Sequence, residues 1–116
     1  MRCGIESVRE YLKLLNVDYT LVVEELDKRV TENGVSVYDI IDVLGNYEIE
    51  AHAYKCFFVY PNAPFIIYLF SKKHYILIKR VGLLVELFDI NVGWVKIPLI
   101  VYFFINKRYI IVLDKK

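Results

Sequence analysis

Residues 1–15 read MRCGIESVREYLKLL and have the apolar spacing of a single amphipathic α-helix. At about 100° per residue, one side of that helix carries four apolar residues: Ile5, Val8, Leu12 and Leu15. Cys3 lies off this side, in the first turn, so the pattern predicts a thiol away from the buried face. The unpaired N–H groups and the dipole of a helix N-terminus stabilise an anion such as a thiolate. Cys3 is therefore either a prepared nucleophile or a small terminal residue without a role.

The composition indicates one domain over residues 1–116 with nearly balanced charge. Lys and Arg number 15 and Asp and Glu number 14, and the basic residues are scattered. This excludes the clustered basic face of a nucleic-acid-binding protein. The apolar fraction of 57%, with ten Tyr and seven Phe, exceeds that of an ordinary soluble domain. We expect some of this apolar surface to meet a partner, and a homo-oligomer stays open.

The cysteines and the apolar runs indicate a cytoplasmic protein with reduced thiols. The longest uncharged apolar runs, 63–70 and 97–105, are far shorter than the roughly 20 residues that span a bilayer. The start of the sequence has no apolar segment that could serve as a signal peptide. Cys3 and Cys56 are the two cysteines, and nothing in the sequence supports a disulfide between them.

Three helices are predicted in the first 45 residues. The first runs over 3–15. The second starts with Thr20 as its N-cap and uses four apolar anchors: Leu21, Val22, Leu26 and Val30. The third has the strongest signal, because Ser36 and Asp39 have the spacing of a capping box and Gly45 suits a C-terminal end.

The pattern after Gly45 is that of an antiparallel sheet. Residues 48–54 alternate between apolar and polar side chains, which is typical of a half-buried strand. Further strands are predicted at 65–70, 74–81, 83–88, 94–97 and 108–113. Residues 98–104 fit either a strand or a short helix. The sequence therefore predicts an α+β domain in which three N-terminal helices (1–45) pack on an antiparallel meander (46–116).

Two histidines and one acid are candidates for chemistry beside Cys3. Taken alone, His52 lies on the polar face of its strand and is interpreted as a solvated surface residue. His74 taken alone is interpreted as a polar residue at a strand end. Asp89 starts a loop, where aspartates often bond their own backbone. Together, Cys3, His74 and Asp89 supply the thiolate, imidazole and orienting group of a cysteine protease, in papain-like order. The cysteines and histidines lack the spacing of a metal site, and no glycine-rich phosphate loop occurs.

Four blocks of the sequence resemble the double-glycine leader peptidase domain, a papain-like cysteine peptidase domain of bacteriocin-exporting ABC transporters. In chain order the blocks are Cys3-Gly4-Ile5 with the helix that follows, 34–53, 64–67 with 74–77, and Asp89 with Gly93. The first looks like the catalytic Cys-Gly helix and the second like another characteristic block of the family. The third resembles the strand pair with the catalytic histidine, and the fourth the loop with the catalytic aspartate.

The resemblance implies a papain-like fold and a thiol protease activity, which is the hydrolysis of a leader peptide after a Gly-Gly pair without a cofactor. It assigns Cys3 as the nucleophile, His74 as the general base and acid, and Asp89 as the group that orients His74. The implied partners are the leader peptide of a ribosomally made, bacteriocin-like precursor and an ABC exporter. Such an exporter would hold the domain at the inner face of the membrane.

Two departures from the family keep a non-catalytic alternative open. The family has a glutamine six residues before the cysteine that donates to the oxyanion, whereas this sequence has only Met1 and Arg2 there. One oxyanion donor is typically worth about 10²–10³ in rate. Ile90 stands where the family usually has proline. In the alternative, the domain binds a leader peptide, cargo or a transporter without cleavage, in a groove lined by four tyrosines: Tyr60, Tyr68, Tyr75 and Tyr102.

Overall fold

Four helices and six strands occur in residues 2–55, 63–69, 74–105 and 109–114, which the computed structural model describes. The helices are α1 (Cys3–Leu14), α2 (Thr20–Arg29), α3 (Val37–Asn46) and α4 (Leu99–Phe103). The strands are β1 (Glu50–Lys55), β2 (Phe65–Leu69), β3 (His74–Arg80), β4 (Leu84–Asp89), β5 (Gly93–Pro98) and β6 (Tyr109–Asp114). The predicted α+β class and its three N-terminal helices are confirmed, and the segment 98–104 contains a short helix.

The six strands form one antiparallel sheet in the order β1-β6-β2-β3-β4-β5. From β2 to β5 the spatial order follows the chain, as the predicted meander requires. Strand β6 departs from it, because it lies between β1 and β2 and pairs with both. The predicted meander order is therefore wrong for the C-terminal strand. The residues of a segment indicate that it forms a strand, but they do not indicate which other strand it pairs with.

Apolar side chains cover both faces of this sheet, and helices pack on each face. Side chains alternate along β3, so Tyr75 and Leu77 belong to the core beneath α1, α2 and α3. Ile76 and Ile78 belong to the second core on the opposite face, together with Tyr102 of α4. The sheet therefore separates the three N-terminal helices from α4.

Helix α1 is buried more widely than its apolar stripe predicts. Cys3 and Ser7 are both buried, with 5% and 1% of their surface exposed. The prediction of a thiol away from the buried face is wrong, because α1 packs on strands β2, β3 and β4 and also against α2. A helix covered from two sides buries residues outside its apolar stripe.

Capping explains the start of α3 as predicted, whereas α2 starts differently. The Ser36 hydroxyl accepts from the Asp39 N–H at 3.0 Å, and the Asp39 carboxylate accepts from the Ser36 N–H at 3.4 Å, which confirms the capping box. In α2, Thr20 is the first helical residue rather than the N-cap, and its N–H donates to the Asp18 carboxylate at 3.0 Å. Leu21 is wrong as a buried anchor, since 56% of it is exposed.

Tyr11 of α1 joins two neighbouring strands of the sheet. Its hydroxyl donates to the Pro64 carbonyl at 2.7 Å and accepts from the Leu113 N–H at 3.1 Å. Pro64 directly precedes β2, and Leu113 lies in β6. One buried hydroxyl therefore fixes α1 at the place where β6 lies beside β2.

Met1, Cys56 and Tyr60, which the sequence analysis names, lie outside the described residues, as does position 108 at the start of the last predicted strand. Cys3 is a free thiol. In the part of the chain that the structure describes, no helix has the length and apolar character needed to cross a membrane.

Candidate active site

His74 and Asp89 meet on neighbouring strands. His74 is the first residue of β3 and Asp89 the last of β4. Leu77 pairs with Phe88, so Asp89 falls beside His74 on the same face of the sheet. The Nε2 atom of His74 lies 3.0 Å from Oδ2 of Asp89, and the two side chains are only 13% and 20% exposed. Partial burial strengthens the electrostatic attraction of this pair relative to an exposed one.

The pair brings one ring nitrogen of His74 to Asp89 and leaves the other ring nitrogen away from it. The contact has the distance of an ion pair, but Nε2 has no hydrogen-bond partner among the described residues, so the angle is not that of a hydrogen bond. Catalytic hydrogen bonds are often poorly aligned in free enzymes and tighten when substrate binds. Because Asp89 lies beside Nε2, Nδ1 is the ring nitrogen of His74 that stays away from this carboxylate.

Asp89 also organises the turn that follows it. Its Oδ1 accepts from the Asn91 N–H at 2.9 Å, and its carbonyl accepts from the Val92 N–H at 3.1 Å. Gly93, the first residue of β5, follows this three-residue loop with a φ of 78°, a conformation that suits glycine. The ordinary interpretation of Asp89 as a turn residue is therefore correct, and the turn holds its other oxygen towards His74.

Cys3 begins α1 where this helix meets the start of β3. A Cβ placed on the adjacent Gly4 would lie 2.8 Å from Cγ2 of Val35 and 3.0 Å from the Tyr75 ring. The Tyr75 hydroxyl donates to the Val35 carbonyl at 2.9 Å. Gly4, Val35 and Tyr75 thus form a close contact, here named the helix seat. The helix seat fixes Cys3 beside the residue that follows His74.

The helix seat depends on a buried tyrosine that stays protonated. Burial raises the pKa of the Tyr75 hydroxyl, and the nearby Tyr68, Cys3 and Asp39 raise it further. The rings of Tyr75 and Tyr68 lie 4.7 Å apart. Sequence reasoning missed this role of Tyr75, although a tyrosine directly after the candidate histidine was a usable signal.

The predicted tyrosine groove is wrong for two of its four members. Tyr75 and Tyr102 are buried, with 2% and 0% of their surface exposed. Tyr75 packs in the core beneath α1, because side chains alternate along β3. Tyr102 packs in the second core, because it lies on the buried face of α4. Tyr68 is half-buried, and Tyr60 lies outside the described residues.

The structure brings two of the three predicted site residues into contact and buries the third in a core. His74 and Asp89 touch, whereas Cys3 packs in the core on the helix-covered face together with Tyr75. Because side chains alternate, His74 starts on the opposite face from Tyr75. The thiol and the imidazole would meet at the end of β3, and this contact stays a prediction.

The N-terminus of α1 has no side-chain cap. Arg2 is its N-cap residue and makes no capping hydrogen bond, and its guanidinium pairs instead with Asp27 of α2 and with Glu6. The first N–H groups of a helix have no acceptor within it. In α1 these groups begin with the N–H of Cys3, and unpaired N–H groups at a helix start favour an anion.

We expect Gly4→Ala to destabilise the domain by about 1–2 kcal/mol. The new methyl group overlaps Val35 and Tyr75, which lowers the free energy of unfolding by about 1–3 kcal/mol. The better helix propensity of alanine offsets up to about 1 kcal/mol of this loss. The control is Gly45→Ala in α3, where a Cβ meets nothing within 4 Å and only the helix propensity changes. Urea unfolding of both variants measures the difference, and equal stability would contradict the tight helix seat.

His52 does not join this site, and the site residues do not form a metal centre. His52 lies on the edge strand β1 with its Nε2 3.5 Å from Glu50, which supports the interpretation of a surface residue. Within the described ranges, no three His, Cys, Asp or Glu side chains are grouped as metal ligands.

Comparison with known proteins identifies the fold of the chain. No protein-family model and no curated protein sequence matches the chain. Among solved structures, the peptidase domain of Streptococcus ComA, a bi-functional ABC transporter involved in quorum sensing, matches with a TM-score of 0.78 and 16% identity over 98% of this chain and 91% of that one. The chain has the double-glycine peptidase fold.

Two further structures with the double-glycine peptidase fold match over nearly the whole chain. A double-glycine-motif protease from an AMS/PCAT transporter, solved with its leader peptide, has a TM-score of 0.72 and 22% identity over 98% of this chain and 84% of that one. The N-terminal peptidase-like domain of a toxin secretion ATP-binding protein from Vibrio parahaemolyticus has a TM-score of 0.70 and 13% identity over 97% and 93%. At these identities the fold is shared, and the role of each residue rests on the geometry of this chain.

Proposed function

We propose that this protein is a cysteine peptidase that cleaves a leader peptide after a Gly-Gly pair, with Cys3 as nucleophile, His74 as general base and acid, and Asp89 as orienting residue. The observation that supports it most is the 3.0 Å contact between His74 and Asp89 within a double-glycine peptidase fold. The start of α1 also supports it. Cys3 lies there beside the helix seat, and the uncapped N–H groups of the first turn would serve as oxyanion donors.

In the proposed acylation, Cys3 transfers its proton to Nδ1 of His74, and its sulfur attacks the carbonyl carbon of the second glycine. The carbonyl oxygen becomes an oxyanion that the N–H groups at the start of α1 stabilise. His74 then gives its proton to the amine of the cargo peptide as the C–N bond breaks. The leader remains on Cys3 as a thioester, and the cargo leaves with a new N-terminus.

In the proposed deacylation, His74 takes a proton from a water molecule that attacks the thioester. The C–S bond breaks, the thiol regains its proton from His74, and the leader leaves with a C-terminal glycine carboxylate. Asp89 keeps Nδ1 directed at the reacting atoms and stabilises the imidazolium in both steps. No cofactor is needed for this sequence of proton transfers.

The proposed partners follow from this activity. The substrate is the leader of a ribosomally made, bacteriocin-like precursor, whose glycines have no side chains and let the backbone enter a narrow site. An ABC exporter that carries the cleaved cargo is the second proposed partner, and it would hold the domain at the cytoplasmic face of a membrane. The solved relative with a bound leader peptide supports the first of these.

The direct test is hydrolysis of synthetic peptides with a Gly-Gly leader junction, followed by mass spectrometry of the products. We expect cleavage after the second glycine, and kcat about 10²- to 10⁴-fold lower for Asp89→Ala, because the imidazole loses the group that orients it. Glu86→Ala on the same strand is the matched control and should leave kcat unchanged. Wild-type protein that cleaves no such peptide, or an Asp89→Ala variant with full activity, would contradict the proposal.

A second candidate function, leader binding without cleavage, is favoured by the burial of Cys3. Only 5% of this residue is exposed, so a peptide carbonyl reaches the thiol only if the start of α1 opens slightly. If the site stays closed, the same surface would hold a leader peptide as a binding module. The two functions differ in turnover, and the Cys3 variant argued in the Discussion separates them.

A further inference from the structure

Tyr68 of β2 is a half-buried tyrosine whose hydroxyl the proposed mechanism does not use. It pairs with Tyr75 across β2 and β3, and it packs against the core beneath α1, so both tyrosines face the helix that begins with the thiol. The Tyr68 ring contacts the Tyr75 ring, and its hydroxyl makes no hydrogen bond to another described residue. A phenol of this kind is a hydrogen-bond donor that is available to a bound peptide.

Tyr68 lies at the end of the sheet that carries the candidate catalytic pair. It is the last residue but one of β2, whereas His74 is the first residue of β3 and Asp89 is the last residue of β4. Because β3 runs antiparallel to both β2 and β4, these three positions share one end of the sheet. A peptide bound at this end can therefore reach the Tyr68 side chain.

Helix α1 brings Cys3 to the same end of the sheet. A Cβ on Gly4 would lie 3.0 Å from the Tyr75 ring, and the ring centroids of Tyr75 and Tyr68 are 4.7 Å apart. The first turn of α1 and the Tyr68 phenol therefore both contact the ring of Tyr75. Burial raises the pKa of the Tyr75 hydroxyl most, and Tyr68 and Cys3 raise it further, which agrees with this arrangement.

A free phenol near the thiol suits the step in which the proposed mechanism develops negative charge. The carbonyl oxygen of the second glycine becomes an oxyanion when the sulfur attacks, and so far only the N–H groups at the start of α1 serve it. Oxyanion sites often combine backbone N–H groups with a side-chain donor, and tyrosine hydroxyls can take this role. Because the Tyr68 hydroxyl has no partner among the described residues, it can donate to the oxyanion without losing another hydrogen bond to them.

We infer that Tyr68 is a further catalytic residue, whose hydroxyl donates a hydrogen bond to the oxyanion that forms at the second glycine. This inference rests on the proposed function. The Tyr68 hydroxyl keeps its proton throughout, since Cys3 and His74 carry out the proton transfers. Tyr75 supports the Tyr68 ring by packing, and its own hydroxyl is already bonded to the Val35 carbonyl.

The test is the variant Tyr68→Phe, assayed on the peptide with a Gly-Gly leader junction. Phenylalanine keeps the ring contact with Tyr75 and removes only the hydroxyl. We therefore expect kcat to fall about 10²- to 10³-fold, while the affinity for the leader peptide and the urea midpoint of unfolding stay unchanged. Tyr19→Phe is the matched control, because Tyr19 is also half-buried against the core beneath α1 but lies beside Lys13, in the last turn of that helix. It should leave kcat unchanged.

A leader peptide that ends in an aldehyde in place of the second glycine carboxyl provides a second measurement. The Cys3 thiol adds across the C=O bond of this aldehyde, so that the sulfur bonds to carbon and the thiol proton ends on oxygen. The resulting oxygen occupies the position of the oxyanion. We expect Tyr68→Phe to raise the inhibition constant of the aldehyde about tenfold, because one hydrogen bond to this oxygen is lost. Tyr19→Phe should not change it.

The outcomes separate the role of Tyr68 from the proposed function. Equal kcat for Tyr68→Phe and an active wild type would overturn the inference and leave the proposed function in place. Wild-type protein that cleaves no Gly-Gly peptide would overturn both. A Tyr68→Phe variant that loses leader affinity or stability together with kcat would overturn the inference in favour of a structural role for the tyrosine.

Discussion

Replacing Tyr11 by phenylalanine should lower the free energy of unfolding by about 2–4 kcal/mol, because a buried N–H and a part-buried carbonyl lose their hydrogen-bond partner. The hydroxyl of Tyr11 donates to the Pro64 carbonyl and accepts from the Leu113 N–H, at 2.7 and 3.1 Å. Phenylalanine keeps the ring and its packing, but it leaves the buried Leu113 N–H and the part-buried Pro64 carbonyl without this partner. An unpaired buried polar group costs about 1–3 kcal/mol.

Urea unfolding followed by circular dichroism measures the effect of Tyr11→Phe, and two controls define it. Tyr38→Phe removes a hydroxyl from a side chain that is 73% exposed, and it should leave stability unchanged. Tyr75→Phe removes one buried hydrogen bond, to the Val35 carbonyl, and should cost about half as much as Tyr11→Phe. A loss below about 1 kcal/mol for Tyr11→Phe would mean that water replaces the hydroxyl between the strands.

The sequence predicted best those features that depend on residues close together in the chain. The capping box of Ser36 and Asp39 formed as its spacing requires, since both partners lie within one helical turn. Asp89 and Gly93 likewise act within a single turn, through a side-chain hydrogen bond to Asn91 and a positive φ. Local geometry is sufficient for such features, so a single sequence carries the signal.

Features that depend on distant segments were predicted less well. The burial of Cys3 follows from α2 and the sheet covering α1 together, and no pattern within α1 contains that information. The insertion of β6 between β1 and β2 depends on pairing between residues far apart in the chain. Tyr75 was predicted to line an exposed groove, yet it is part of the helix seat. Gly4 and Val35, which are distant from it in the chain, contact its side chain.

The candidate site combines both kinds of information. The order of Cys3, His74 and Asp89 in the sequence was enough to suggest a protease, and the sheet places the last two side by side. The order of residues does not predict distances, so the contact between thiol and imidazole needs an experiment. Alkylation of Cys3 by iodoacetamide reports it, since a partner imidazole increases the thiolate and hence the rate.

Replacing Cys3 by alanine should lower peptide turnover at least about 10⁴-fold while the affinity for the leader peptide stays unchanged. Alanine has no nucleophile, and in a protease of this kind loss of the nucleophile removes nearly the whole catalytic advantage. A leader bound as proposed would contact the protein mainly through groups that this substitution leaves in place. Turnover is measured by mass spectrometry, and affinity by the fluorescence anisotropy of a labelled leader peptide.

Ser7→Ala is the matched control for Cys3→Ala, because Ser7 is buried one turn further along α1. Its hydroxyl has no hydrogen-bond partner among the described residues, so its removal costs little and leaves the thiol in place. Full turnover in Ser7→Ala with none in Cys3→Ala would establish the nucleophile. Equal turnover in Cys3→Ala and wild type would exclude Cys3 from the chemistry. Tight leader binding without turnover in any form would instead identify a binding module, in which His74 and Asp89 stabilise the end of the sheet and the buried thiol belongs to the core.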